Sequence, residues 1–176
     1  MDFLASKFTL QDFNEGLKTL PKSPDGVYEL AFERITKQGE FKYRLAIRSL
    51  GWLVFAERSL TISELLHAVA IELENKKLSE LKVVTEELLT SVCAGILVID
   101  PGTKIVRLAH YTAARYLEKN KASLFDKDFH SSMARACLTY LLFDDFGSQQ
   151  TTSPSSSRPK KKNTFHNYAA NHWGDQ

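Results

Sequence analysis

The sequence predicts a mainly α-helical fold with one β-hairpin. Apolar residues recur at helical spacing in three successive segments, before the first run of β-branched residues. The tetrapeptide Asp100-Pro101-Gly102-Thr103 then separates two such runs, residues 96–99 and 104–108. Pro followed by Gly at the centre of a turn predicts a hairpin there. The 176 residues, 43% hydrophobic and 25% charged, are typical of one globular core with a partly independent helical appendage.

The N-terminal part is predicted to be helical on both sides of a proline-rich break. Residues 1–20 favour one or two short helices, which Pro21 and Pro24 end. A further helix is predicted over about residues 26–36 and closed by Gly39. Its expected core stripe is Val27, Leu30, Ala31 and Ile35.

The three helices before the hairpin have different sequence signals. The first, about residues 43–56, is expected to bury Tyr43, Ala46, Ile47, Leu50, Leu53 and Val54. The second begins at a capping box, in which Thr61 and Glu64 satisfy each other's backbone amides. The third, about residues 83–93, ends at Gly95 and carries Val84, Leu88 and Val92 on one side.

Three helices followed by a two-stranded hairpin is the element order of a winged helix. A hairpin this apolar is not stable alone in water, so it is expected to lie on the helical core. Helices are also predicted over about residues 110–118, 128–142 and 164–173. The Ser-, Pro- and Lys-rich stretch 147–163 between the last two is expected to be disordered, because it can bury little apolar surface.

Composition argues against several classes of protein. No apolar run approaches the roughly 20 residues that span a membrane. The start, Met1-Asp2, is acidic where a secretory signal would be basic, which favours an intracellular protein. Cys93 and Cys137 are too few for a disulfide framework or a zinc cluster and are expected to be buried thiols. His166 and His172, six residues apart, do not share a helix face, so no metal site is expected.

Four segments, in order along the chain, resemble the region that follows the ATPase core in fungal NACHT proteins of the STAND class. Residues 20–35 (LPKSPDGVYELAFERI) resemble the junction after that core, and residues 52–65 (WLVFAERSLTISEL) resemble the start of the winged helix. That domain is often labelled after GPI inositol-deacylase-like proteins. Residues 106–112 (VRLAHYT) resemble its end, and residues 168–174 (YAANHWG) the helix that leads toward ankyrin or other repeats.

The resemblance implies a division of the chain and a set of partners. The implied units, from the N-terminus, are a helical junction (1–39), a winged-helix domain (40–120), a helical extension (121–146), the disordered loop (147–163) and the start of a C-terminal helical or repeat region (164–176). The implied role is a non-catalytic regulatory and protein-interaction module of a nucleotide-switched signalling protein. Its partners would be the ATPase core and the repeats, in cis or in trans, and oligomers would form only through the parent protein.

His110 is the one cofactor-binding residue that the resemblance implies. In related switch proteins a histidine just after the wing contacts the β-phosphate of ADP, and His110 matches that position. A position near a helix start suits the role, since free amides there attract anions. The alternative is a histidine that caps or packs at a strand-helix junction. No G-x-x-x-x-G-K-[ST] loop occurs, so the contact is expected only in an intact parent and the chain alone is expected to hold no cofactor.

Two further hypotheses concern charge. A nucleic-acid-binding winged helix is the alternative function, but residues 83–93 carry Glu86 and Glu87 without any Lys or Arg. The tract Arg158, Lys160, Lys161 and Lys162 is a nuclear localisation signal in an otherwise cytoplasmic protein, a contact for nucleic acid or acidic lipid, or a solvated loop.

No catalytic residue is expected, because no G-x-S-x-G elbow or cysteine-histidine frame is present. Three large aromatic residues, Trp52, Phe55 and Trp173, are expected in the core, with Trp173 the one to face a missing partner surface.

Overall fold

The structure is a computed structural model that describes residues 23–72, 76–77, 81–143 and 164–174. These residues form eight helices and one antiparallel hairpin, in the order α1 (Pro24–Lys37), α2 (Glu40–Phe55), α3 (Ile62–Ala70), α4 (Glu86–Val92), β1 (Leu97–Ile99), β2 (Val106–Leu108), α5 (Tyr111–Lys119), α6 (Lys121–Leu124), α7 (Phe129–Leu141) and α8 (His166–His172). The mainly helical class with one hairpin is confirmed, and α2 to β2 have the order of a winged helix. The helices predicted in residues 1–20 and the disorder predicted for residues 147–163 lie outside the described residues.

The helices begin where local capping chemistry starts them. Ser23 accepts a hydrogen bond from the Gly26 amide at 3.2 Å, with Pro24 at the first helical position of α1. The predicted capping box of α3 is confirmed: Thr61 Oγ1 accepts from the Glu64 amide at 3.3 Å, and Glu64 Oε2 accepts from the Thr61 amide at 2.8 Å. Contacts within one turn of chain therefore set both of these helix starts.

The hairpin pairs Leu97 with Leu108 and Ile99 with Val106, so each strand is shorter than its β-branched run. A third segment that the sequence did not predict joins it. Thr61 forms an antiparallel bridge with Ile105, and the Ile62 amide donates to the Lys104 carbonyl at 2.8 Å. Through this bridge the start of α3 fixes the hairpin to the helical part of the winged helix.

Helix α2 is the centre of the core and packs against α1, α3, α4, α5 and α7. The single stripe predicted for it was only partly right: Ala46 and Leu50 are buried, but Tyr43 is 37% exposed and residues on other sides are buried as well. Its buried residues are Leu45, Ala46, Ser49, Leu50, Gly51, Trp52 and Phe55. A helix that has neighbours on most sides has no single apolar stripe, which is why the periodicity was misleading.

The stripe predicted for α1 was also partly wrong. Val27 and Leu30 are exposed, whereas Phe32 is buried together with the predicted Ile35. The reason is that α1 packs against both α2 and α5, and the Phe32 and Tyr116 rings stack at 5.7 Å between α1 and α5. Two contact surfaces shift the buried side of α1 away from Val27 and Leu30.

The stripes predicted for the last two helices are largely as expected. In α7, Met133, Ala136, Cys137 and Tyr140 are buried. Phe165, the N-cap residue of α8, is fully buried against α7 and α2, as are Tyr168 and Ala169 within α8. Trp52 and Phe55 lie in the core as predicted, but Trp173 is 48% exposed and its core prediction was wrong. Trp173 is the C-cap residue of α8, just past the last residue of the helix.

Candidate functional site

His110 lies between β2 and α5, where the chain leaves the wing and begins a helix. It is the N-cap residue of α5, with an extended backbone, and its Nδ1 accepts a hydrogen bond from the Thr112 amide at 3.3 Å. The side chain is exposed. His110 therefore does cap the helix, as the structural alternative expected, and the cap leaves one edge of its ring open.

A chain of hydrogen bonds runs from α1 to the His110 ring. The Tyr28 hydroxyl lies 2.8 Å from Thr112 Oγ1, and Thr112 Oγ1 lies 2.8 Å from His110 Nδ1. Because Nδ1 accepts from the Thr112 amide, the neutral imidazole carries its proton on Nε2. The contacts thus select one tautomer, in which Nε2 is a hydrogen-bond donor at the surface.

Aromatic packing and an ion pair hold α1 on α5 and so hold Tyr28 in place. The Tyr28 and Tyr116 rings lie 5.3 Å apart, and Lys119 Nζ contacts Asp25 Oδ2 at 2.7 Å. The Asp25 carboxylate raises the pKa of Lys119 through this hydrogen bond. Sequence reasoning missed Tyr28, since it lies 84 residues from Thr112 and no local pattern relates the two.

The ring of Tyr111 extends the exposed surface at this junction. It is 68% exposed, and its ring centroid lies 4.4 Å from that of His110. The Thr112 amide is engaged by His110 Nδ1 and the Ala113 amide by the His110 carbonyl at 3.0 Å. An anion at this helix start would therefore be bound mainly by His110 Nε2, rather than by a full set of free backbone amides.

The surfaces that a nucleic-acid-binding winged helix would use carry few basic residues: none on α4, and Lys104 and Arg107 on the wing. Helix α4 has Thr85 as its N-cap residue, carries Glu86 and Glu87 in its first turn, and directs Leu89 and Val92 into the core. On the wing, Arg107 is paired with Asp100 at 3.2 Å. A phosphate backbone approaching α4 would meet carboxylates first.

The Asp100 carboxylate organises the tip of the wing. Its Oδ1 accepts hydrogen bonds from the Gly102 amide at 3.1 Å and the Thr103 amide at 2.8 Å. The bonds from Thr103, with that from Gly102 and the nearby Arg107, lower the pKa of Asp100. The wing tip is thus held by its own side chains, and its acidic group is turned toward Arg107.

A cleft of about 1030 Å³ lies between α2 and α7, away from His110. Its lining includes the apolar residues Leu45, Trp52 and Met133. Six charged residues also line it, three of each sign: Glu40, Glu72, Asp126, Arg44, Arg48 and Arg135. Balanced charge of this kind favours neither an anionic nor a cationic ligand.

Both cysteine thiols have low nucleophilicity. Cys93 and Cys137 are fully buried, as predicted, and burial raises the pKa of each to about 12.

No group of three or more metal-binding side chains lies within the residues that the structure describes. The basic tract Arg158, Lys160, Lys161 and Lys162 lies outside them. No helix in the described ranges combines the length and apolar character needed to cross a bilayer.

One family model matches the chain. Its description is the winged helix domain of GPI inositol-deacylase, and the match covers residues 32–141, from the end of α1 to the end of α7. No curated protein and no solved structure matches. The matched range contains His110 and Thr112, whereas Tyr28 and α8 lie outside it.

Proposed function

The chain belongs to the family of GPI inositol-deacylase winged helix domains, and from that membership we propose that it is a non-catalytic regulatory module of a NACHT-type nucleotide-switched signalling protein. In this role it transmits or restrains the switch between an ATPase core and C-terminal repeats. Those two parts are its partners, in cis or in trans. The NACHT context is suggested by the resemblance of residues 20–35 and 168–174, beyond the family match itself.

The observation that carries the proposal is the geometry of His110. Its Nδ1 is satisfied inside the protein by Thr112, and its Nε2 is free to donate at the surface. Within the described residues no acceptor lies on Nε2. A histidine that presents one fixed Nε2 donor beside a helix start is suited to a phosphate oxygen. We therefore propose that His110 contacts the β-phosphate of ADP in the intact parent protein.

The link from His110 to Tyr28 gives this contact a route to the rest of the protein. Tyr28 lies on α1, the helix that precedes the winged helix and that resembles the junction after an ATPase core. A shift of α1 along α5 would break the bond between Tyr28 and Thr112 and leave the Thr112 hydroxyl free to move away from His110 Nδ1. Movement of the junction and affinity for the nucleotide would then be coupled through three side chains.

The proposal includes no enzymatic step. A winged helix is generally a non-catalytic fold, and membership of a domain family named after a deacylase does not by itself confer deacylase chemistry. The buried thiols, with pKa values near 12, are poor nucleophiles. We accordingly propose that nucleotide chemistry belongs to the ATPase core.

Retention of ADP through gel filtration tests the role of His110. The protein used joins a NACHT ATPase core to this chain, as wild type and as His110→Ala, Tyr28→Phe and Lys127→Ala. We expect His110→Ala to lose most of its ADP and Tyr28→Phe to lose part, since the phenol positions the imidazole without contacting the nucleotide. Lys127→Ala, an exposed change away from α5, is the matched control and should retain ADP.

Equal ADP retention by all four folded proteins would contradict the nucleotide contact and leave His110 as a helix cap. Circular dichroism of each variant separates that result from loss of fold.

We also propose a cytoplasmic location, in keeping with the regulatory role. Replacement of Arg158 and Lys160–Lys162 by Ser tests the predicted localisation signal. If the tract is such a signal, the replacement should lower the fraction of the protein found in the nucleus.

A further inference from the structure

Helix α8 is only seven residues long, yet three side chains at this helix are completely buried: Phe165, Tyr168 and Ala169. The Trp52 ring meets Phe165 edge-on at 5.5 Å and Tyr168 at 5.8 Å. The Tyr140 ring of α7 meets Phe165 edge-on at 5.3 Å. Two large aromatic side chains of the α8 region thus fill a site formed by α2 and α7.

A polar contact fixes the orientation of Tyr168 within that site. The Tyr168 hydroxyl accepts a hydrogen bond from the Glu57 amide at 3.2 Å. The Arg58 guanidinium lies over the Tyr168 ring, 5.0 Å from its centroid. A cation over the ring face and a donor at the hydroxyl recognise tyrosine specifically, because phenylalanine would lack the second contact.

Arg58 is held in position by residues outside α8. Its two terminal nitrogens contact the Glu64 carboxylate at 2.7 and 3.1 Å, and Glu64 is itself part of the capping box of α3. Burial opposes ionisation of Glu64, but hydrogen bonds from Arg58 and Thr61 outweigh it and lower the pKa of this carboxyl. The contacts that position Arg58 therefore belong to the winged helix itself.

The covalent link between α8 and the surface beneath it is long. Residues 144–163 separate the end of the α7 region from the α8 region, and a chain of this length can extend to about 70 Å. The family match ends at residue 141, before this link. The contact between α8 and the winged helix thus depends on its own side chains more than on chain continuity.

We propose that α8 is a separable ligand helix, and that the surface formed by Trp52, Glu57, Arg58 and Tyr140 is a receptor site for a short helix with the pattern Phe-x-x-Tyr-Ala. Its occupant is α8 of the same chain. Because α8 belongs to the same chain, its local concentration at the site exceeds that of a free helix, so it normally occupies the site. Displacement of α8 uncovers Trp52 and Tyr140.

Cleavage of the link tests the proposal in the full-length chain. A recognition sequence for a specific endoprotease replaces residues 150–157, and Trp173→Phe leaves Trp52 as the single tryptophan. After cleavage, we expect the α8 fragment to co-elute with the rest of the protein and the Trp52 emission to stay that of a buried indole. An isotopically labelled peptide of residues 164–176, equivalent to α8 of a second copy, should then replace the cleaved fragment.

Peptide variants establish which side chains the site recognises. Tyr168→Ala should weaken competition about thirtyfold or more, as expected for a buried aromatic anchor. Tyr168→Phe should compete less well than the natural peptide because it cannot accept the Glu57 hydrogen bond. Asn167→Ala changes an exposed position of α8 and is the matched control, which should compete as the natural peptide does.

Two outcomes would overturn the proposal. If the fragment stays bound but never exchanges with excess peptide, α8 is a permanent part of the core. If cleavage leads to loss of the fragment together with the far-ultraviolet circular dichroism of the whole protein, α8 is required for folding and is no separable ligand. Equal competition by the Tyr168→Ala and Asn167→Ala peptides would show that the site does not recognise Phe-x-x-Tyr-Ala.

Discussion

The ring of Phe129 lies against the backbone of Gly51, in the space that a Cβ atom at residue 51 would occupy. The Phe129 ring also stacks on Phe55 at 5.2 Å and contacts Phe125 at 5.6 Å. Glycine at residue 51 thus lets α7 approach α2 closely enough to form an aromatic cluster between them. The close packing of α7 against α2 therefore depends in part on the absence of a side-chain methyl group at residue 51.

We predict that Gly51→Ala destabilises the protein even though alanine favours a helix. The gain in helix propensity is about 1 kcal/mol, whereas overpacking in a dense core typically costs about 1–3 kcal/mol. Since three ring carbons of Phe129 would be too close to the new methyl, we expect the overpacking cost to exceed the gain in propensity. The net loss should therefore be up to about 2 kcal/mol in the free energy of unfolding, measured by urea denaturation.

Two controls accompany this variant. Gly174→Ala adds a methyl group where nothing lies within 4 Å, so its stability should match the wild type. Combining Gly51→Ala with Phe129→Leu should recover part of the loss, because the smaller side chain vacates the ring position. An unchanged midpoint for Gly51→Ala alone would mean that α7 moves away at little cost.

The capping box of α3 gives a second prediction. Thr61→Ala removes the acceptor of the Glu64 amide and should lower stability by about 1 kcal/mol, the usual value for an N-cap. Thr61→Ser keeps the hydroxyl and should retain most of the stability that the N-cap contributes. If the two variants unfold at the same urea concentration, the stability comes from the bridge between Thr61 and Ile105 and not from the cap.

The features that sequence predicted well are those that act within one turn of chain. The capping box of α3, the turn after Asp100 and the stripe of α7 all involve neighbours within a few residues, and all are present. The stripes of α1 and α2 were misread because each helix contacts several others, and periodicity indicates a single buried side only when there is one partner.

The candidate site was predictable only in part for a related reason. Resemblance located His110 at the end of the wing, but Tyr28 reaches the neighbouring Thr112 across 84 residues, and Tyr168 reaches Glu57 across 111. Neither pair has a sequence signature, since the contact depends on how α1 and α8 pack. Trp173 shows the opposite error: a large aromatic residue favours the core, but its place beyond the end of α8 leaves it exposed.

His67 makes stability depend on pH. Its Nδ1 lies 3.0 Å from the hydroxyl of the buried Tyr140, and burial lowers the pKa of His67 below its ordinary value of 6.5. His67 is therefore protonated at a higher pH in the unfolded chain than in the folded chain. Its contribution to the free energy of unfolding is complete above pH 6.5 and is lost as the pH decreases from 6.5 through the folded pKa. Urea denaturation between about pH 7.5 and 5 should show this loss, and His67→Gln should reduce it.

The Glu64 carboxyl does not interfere in that range. Its lowered pKa means that its contribution changes only below its ordinary value of 4.5. A nuclear magnetic resonance titration of the His67 ring provides the direct check. A midpoint at or above 6.5 would contradict the assigned direction, and an equal pH dependence in His67→Gln would assign the effect to another group.

The negative charge on α4 predicts weak binding to nucleic acid. Because Glu86 and Glu87 occupy its first turn and Arg107 is paired with Asp100, we expect no sequence-specific gel shift with duplex DNA at about 150 mM salt. Any weak, salt-sensitive binding should disappear when Arg158 and Lys160–Lys162 are replaced by Ser. A specific shift that survives this replacement would favour a nucleic-acid-binding winged helix instead.

The two cysteines should resist thiol reagents while the protein is folded. Their pKa values of about 12, against an ordinary 9.0, imply a thiolate fraction about a thousandfold smaller, and neither sulfur is accessible. We expect negligible labelling by a disulfide reagent at about pH 8 and two labelled thiols per chain in about 6 M guanidinium chloride. Cys93→Ala and Cys137→Ala variants assign any residual reaction: rapid native labelling of Cys137 alone would indicate that α7 opens, whereas labelling of Cys93 would place the opening beside α4.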